Sequence, residues 1–327
     1  MEIGIRMKKV FGIGLLLIGL SGCATYVEKA LSSRPGSGVS YGGIETYVAE
    51  AGGSIRQFCM PFLDGCTDYI YAPANLDDQP YEQKFEVVAN DITLNYDFTL
   101  NREQVPEARR GTLILLHGYG GSKESLLLLA NYFRYLGFHV IIPDLKGHGG
   151  STQDEPGFGV DDVDVIQALI ESMPARERPH PLYIAGYSMG AIAAIHTARQ
   201  RDDISGVLLF GPMREFEDAA VAVSKMSYRR LSKIVGEEPV REGVRNTLSK
   251  RGIDAKELDV HHLLSTFQTP TLMIASDRDP IAPYDYFQPL QQGNVRVKKL
   301  PDRHHFLLTI PDENLHDLVY PWLEQHH

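Results

Sequence analysis

The residues best placed to do chemistry lie in the run Leu182-Tyr183-Ile184-Ala185-Gly186-Tyr187-Ser188-Met189-Gly190. An apolar stretch of strand length leads into a serine with glycine two places before and two places after it, and a helical pattern follows at once. This is the spacing of a nucleophile elbow. A strand that turns sharply into a helix brings its two backbone arms together, so Gly186 and Gly190 are the small residues such a turn demands. The turn would present the Ser188 hydroxyl above a sheet. It would also aim backbone N–H groups at the helix N-terminus toward charge developing on an attacked carbonyl. The implied chemistry is nucleophilic acyl transfer, which needs a base and an orienting acid from elsewhere in the chain.

The surrounding pattern has the elements to position them. Apolar runs at Thr112 to Leu116, Phe138 to Ile142, Leu182 to Ala185, Gly206 to Phe210 and Pro270 to Ala275 lack alternation, as strands buried on both faces do. Between and after them, Glu124 to Leu136, Val160 to Met173, Gly190 to Gln200 and Asp312 to Gln325 carry apolar residues at helical spacing. Alternating strands and helices predict an α/β fold with a mostly parallel sheet and binding loops at the strand C-termini. Lys84 to Asn90 and Ile92 to Leu100 alternate and read as an opening hairpin. Between Pro212 and Phe267 the rhythm breaks into a helical, charged insertion, about 213–266, with Arg214 to Val235 its longest candidate helix. An insertion there is placed to cap a site.

From about Gly111 to Leu323 the chain resembles the α/β-hydrolase superfamily. Within it, the likeness is to serine hydrolases related to monoacylglycerol lipases, lysophospholipases and serine aminopeptidases. Leu115-Leu116-His117-Gly118-Tyr119-Gly120-Gly121-Ser122 is similar to the family's oxyanion loop, which implies that the N–H groups of Tyr119 and Met189 form the oxyanion hole. Pro143 to Ser151 resembles the loop after the next strand. The segment Ser276-Asp277-Arg278-Asp279-Pro280 is similar to the one carrying the catalytic acid and selects Asp279; Ser276 stands where the family has glycine, which keeps Asp277 as the alternative. Leu300-Pro301-Asp302-Arg303-His304-His305-Phe306 resembles the terminal histidine motif, and His305 is the base it implies. No metal-ligand spacing is present, and the expected mechanism needs no cofactor.

The N-terminus reads as an address. Arg6, Lys8 and Lys9 precede an uncharged run of 11 residues, Val10 to Leu20, which is too short for the roughly 20 residues of a spanning helix. Leu20-Ser21-Gly22-Cys23 then resembles the lipobox of a bacterial lipoprotein signal. That resemblance implies a signal peptide over 1–22, starting at Met1 or Met7, and lipidation of Cys23. Ala24 after the cysteine implies the outer membrane, facing the periplasm. Ser32 to Gly53 holds many Gly and Ser residues with Pro35, so 23–55 is expected to be a flexible tether, with the hydrolase domain over 56–327. Export would permit a disulfide, and Cys59 and Cys66 are the candidate pair once Cys23 carries lipid.

Composition narrows the rest. Lys plus Arg number 32 against 42 Asp plus Glu, a formal charge of −10, which argues against a nucleic-acid partner. The expectation is a membrane-tethered serine hydrolase of carboxylic esters such as monoglycerides or lysolipids. The alternatives are an aminopeptidase, amidase or acyltransferase of the same fold, or a non-catalytic envelope lipoprotein.

Overall fold

The computed structural model describes residues 20–35, 43–60, 65–89, 92–106, 110–227 and 229–327. Its main sheet is built from β1 (Ser54–Cys59), β2 (Cys66–Ala72), β5 (Thr112–Leu116), β6 (His139–Pro143), β7 (Leu182–Tyr187), β8 (Ile204–Phe210), β9 (Thr271–Ala275) and β10 (Val295–Lys299). β3 (Tyr81–Ala89) and β4 (Ile92–Leu100) form a separate antiparallel hairpin. The sheet order is β1-β2-β6-β5-β7-β8-β9-β10. β2 pairs antiparallel with both of its neighbours, and every other pairing in the sheet is parallel.

Helices cover both faces because the buried strands are apolar on both. In β5, Leu113 and Leu115 face α3 (Leu127–Tyr135) and α11 (Glu313–His326). Ile114 and Leu116 face α4 (Val163–Ser172) and α5 (Met189–Arg199). The two-residue period of a strand thus splits one apolar run between two cores. Each parallel pairing needs a crossover, and the helices supply it.

The insertion between β8 and β9 folds as α6 (Phe216–Ser227), α7 (Arg229–Val235), α8 (Glu238–Arg251) and α9 (Val260–Leu264). Of the long helix expected over Arg214 to Val235, Phe216–Ser227 and Arg229–Val235 are helical, and residue 228 between them lies outside the described residues. Pro239 opens α8 and Gly252, at φ 67°, closes it in the left-handed conformation that glycine adopts without steric cost.

The N-terminal region departs most from expectation. The apolar run Val10 to Leu20 and the start of the expected signal peptide lie outside the described residues, except at the end of the run. Residues 23–55, expected to be a tether, contain helix α1 (Leu20–Ser32), helix α2 (Ile44–Glu50) and the start of β1. α1 lies along α8: a Cβ on Gly243 would stand 2.6 Å from Val27 Cβ and 2.8 Å from the Ala24 carbonyl oxygen. Burial of Ala24 and packing of Leu31 against the core give this segment a fixed seat that its Gly and Ser content did not foretell. Among the described residues, no helix is long and apolar enough to cross a membrane. Cys59 and Cys66 stand opposite each other on β1 and β2 and are joined by a disulfide.

Candidate active site

The sharp turn after β7 is visible in its dihedrals. Ser188 sits at φ 54°, ψ −117°, a conformation strained for a residue with a side chain, and it caps the N-terminus of α5. The flanking glycines are sterically required. A Cβ on Gly186 would fall 2.1 Å from the Gly190 carbonyl oxygen, and one on Gly190 would fall 2.2 Å from that of Leu116. The Ser188 N–H donates to the Phe210 carbonyl at 3.1 Å, which pins the turn to β8.

Three side chains from separate loops converge there. Ser188 Oγ lies 2.8 Å from His305 Nε2, and His305 Nδ1 lies 2.6 Å from Asp279 Oδ2. The second oxygen of Asp279 accepts from the N–H groups of Ile281 and Ala282 at 2.8 and 3.0 Å. Asp279 and His305 are both buried. With Nδ1–H held by the carboxylate, Nε2 is free to accept the serine proton. Asp277 faces outward instead. It pairs with Lys299 at 2.7 Å and accepts from the Asp302 N–H, contacts that hold its carboxyl at about 2.

The oxyanion loop lies against the elbow. A Cβ on Gly118 would be 3.1 Å from Ser188 Cβ, so the following residue, Tyr119, is beside the nucleophile. Met189 supplies the first N–H of α5. His117 organises the loop, donating from Nδ1 to the Gly118 carbonyl while Nε2 accepts from the Leu145 N–H. Burial lowers its pKa to about 4, which keeps it neutral. Asp144 ties this loop to the next one. Its carboxylate accepts from the Lys123 N–H, the Lys123 ammonium and the Gly150 N–H at 2.7 to 2.8 Å.

The fold resembles that of known hydrolases. A family model described as serine aminopeptidase, S33 matches residues 107–259. A membrane phospholipase A, described as a bacterial virulence factor, superposes with TM-score 0.54 at 17% identity over 93% of this chain and 92% of that one. An esterase from Pyrococcus furiosus gives TM-score 0.52 at 16% identity, over 76% of this chain and 93% of its own. The chain has the α/β-hydrolase fold. Among proteins of similar sequence, Lipase 3 of a Moraxella species is 25% identical over 200 residues, which is 52% of this chain and 62% of that lipase. A thermostable monoacylglycerol lipase of a Bacillus species is 22% identical over 209 residues, covering 59% and 82%. The chain thus spans about three fifths of the Moraxella lipase's length.

Sequence reasoning missed three contributors to the candidate site. Tyr187 donates from its hydroxyl to the His305 carbonyl at 3.1 Å. Ser276, buried, accepts from the Arg303 N–H at 3.1 Å and the Arg278 N–H at 3.3 Å. Gly211, at φ 53°, ends β8 beside the site, where a Cβ would come within 2.5 Å of Leu308 and 3.5 Å of both Asp279 and His305. Gly211 alone had a readable signal, a glycine at the end of a buried strand. Among the described residues, no group of His, Cys, Asp or Glu is arranged to hold a metal.

Proposed function

We propose that this α/β-hydrolase cleaves carboxylic esters with Ser188 as nucleophile, His305 as general base and acid, and Asp279 as the acid that orients the imidazole. The observation that carries the reading is the hydrogen-bonded chain Ser188–His305–Asp279 set against the Gly118–Tyr119 loop. Ser188 Oγ attacks the acyl carbonyl as His305 Nε2 takes its proton. The oxyanion receives N–H bonds from Tyr119 and Met189. His305 then protonates the leaving alcohol, and water repeats the cycle to release the acid. No cofactor enters these steps.

Recognition of a peptide's free ammonium would need carboxylates, and four of the cap's acids are already engaged: Glu217 and Glu238 pair with Arg245, Asp218 with Arg241, and Glu237 with Lys225. Monoglycerides or lysolipids fit this reading, supported by the lipase relatives and by the lipobox at Leu20-Ser21-Gly22-Cys23, which would anchor the protein through Cys23 at the outer membrane.

Fluorophosphonate labelling of the wild type and of Ser188→Ala tests the nucleophile; absence of Ser188-dependent labelling in folded protein overturns the reading. p-Nitrophenyl esters of graded chain length, set beside aminoacyl amides, then assign the substrate class. Metabolic incorporation of a palmitate analogue that survives in Cys23→Ala would overturn the anchor.

A further inference from the structure

The N-terminal helix reaches the candidate oxyanion residue. The Tyr119 hydroxyl donates to the Ala30 carbonyl of α1 at 3.2 Å. The last four carbonyls of a helix have no partner within it, and Ala30 is among them in α1. Burial raises the Tyr119 phenol above its ordinary range, so it stays protonated and donates. Its ring is held on both sides, stacked on Phe158 with centroids 6.2 Å apart and meeting His148 edge-on at 5.4 Å. The backbone there is closed by a turn in which the Gly121 N–H donates to the Gly118 carbonyl at 3.0 Å, and the side-chain contacts of Tyr119 add to that restraint.

α1 is itself seated firmly. Gly243 lets it approach α8, Glu28 pairs with Lys250, and the Arg34 guanidinium just beyond its end donates to the carbonyls of Gly149, Ser151 and Gln153. The helix bridges the cap and the two loops that frame Ser188.

We propose that α1 is a positioning element of the acylation site: through the Tyr119–Ala30 hydrogen bond it holds the Tyr119 N–H in register with Ser188. This rests on the reading above in which Tyr119 is an oxyanion donor. Cys23 lies seven residues before Ala30 on the same helix, so an acyl anchor there would sit about 10 Å along the axis from this contact. Such an anchor would hold the site close to the bilayer, in place of a domain lifted off it by a loose tether.

A double-mutant cycle in the full-length chain tests the coupling. Tyr119→Phe is combined with Arg34→Ala, which frees the end of α1, and separately with Gly243→Ile, which forces α1 off α8. kcat and KM for a short soluble ester are measured with the rate of fluorophosphonate labelling. Tyr119→Phe alone should lower kcat and labelling about fivefold, the scale of one lost hydrogen bond, with KM little changed. Once α1 is released, kcat should already be reduced and Tyr119→Phe should cost less than twofold more. If Gly243→Ile does not fold, the Arg34→Ala cycle decides. Full additivity of the two changes, or no effect of Tyr119→Phe alone, overturns the coupling while Ser188 still labels. Loss of Ser188-dependent labelling in the parent overturns the hydrolase reading and this inference together.

Discussion

Ser276 Oγ accepts a hydrogen bond from the Arg303 N–H at 3.1 Å, across 27 residues of sequence. The bond is buried and joins the loop that carries Asp279 to the loop that carries His305. A glycine at this position would leave the Arg303 N–H without that partner. Ser276→Ala should therefore cost about 1 to 3 kcal/mol of stability, the scale for a buried donor left unsatisfied. It should also lower kcat more than it raises KM, because His305 loses its register. Urea unfolding and steady-state kinetics check both, and unchanged values would remove Ser276 from the site.

The two aspartates of the same loop should separate cleanly. Asp279 contacts His305, whereas Asp277 faces Lys299. Asp279→Asn should reduce kcat by about 10⁴ through the wrong imidazole tautomer. Asp277→Asn should leave kcat within about twofold, since an exposed ion pair contributes little. The reverse ranking would show that the acid is Asp277.

Acidification should destabilise the fold through buried groups outside the Ser188–His305–Asp279 chain. Burial lowers His117 to about 4 and His148 to about 3 from 6.5, and raises Asp162 to about 6 from 3.8. As pH falls below 6.5 the unfolded chain takes up two histidine protons that the folded one refuses. Asp162 works in the opposite sense, binding a proton in the folded state below about 6. Near pH 5 the unfolded state thus holds roughly one extra proton, and stability should fall by about 1 kcal/mol per pH unit. Denaturation midpoints at pH 7.5 and 5.0 measure this. In His148→Asn the slope near pH 5 should be shallower than in the wild type by about 1 kcal/mol per pH unit, the share of one histidine proton, and a wild-type midpoint that rises with acid would contradict the assignment.

The disulfide closes a short loop at one edge of the sheet. With the cysteines seven residues apart, chain entropy puts its contribution at about 2 kcal/mol. Replacing both Cys59 and Cys66 by serine should lower the unfolding free energy from urea titration by that amount while kcat/KM stays within about twofold, because the loop is remote from Ser188 in the sheet order. A large loss of activity with unchanged stability would place the loop in the site.

The core of the fold was legible because its signals are local. The Gly186 to Gly190 elbow is a steric constraint confined to five residues, and the clash distances at both glycines give the reason for the motif. The buried strands announced themselves by unbroken apolar runs. The edge strand β1 did not, since it is half exposed and carries Arg56 and Gln57 within a polar stretch. Position within the hydrolase resemblance named Asp279 and His305, yet Ser276 left two aspartates open. Only the folded chain sets one of them 2.6 Å from the imidazole.

By itself the sequence determined that a parallel sheet would present a serine on a strained turn, with an acid and a histidine on later loops. The tertiary structure decided which acid faces the histidine, that Tyr187 and Ser276 brace the histidine loop, and that residues 20–32 are a docked helix rather than a tether. The reason is range. Turn sterics and strand burial are written within a few residues, whereas the bond from His305 to Ser188 spans 117 positions and exists only once strand order and register have brought their loops together.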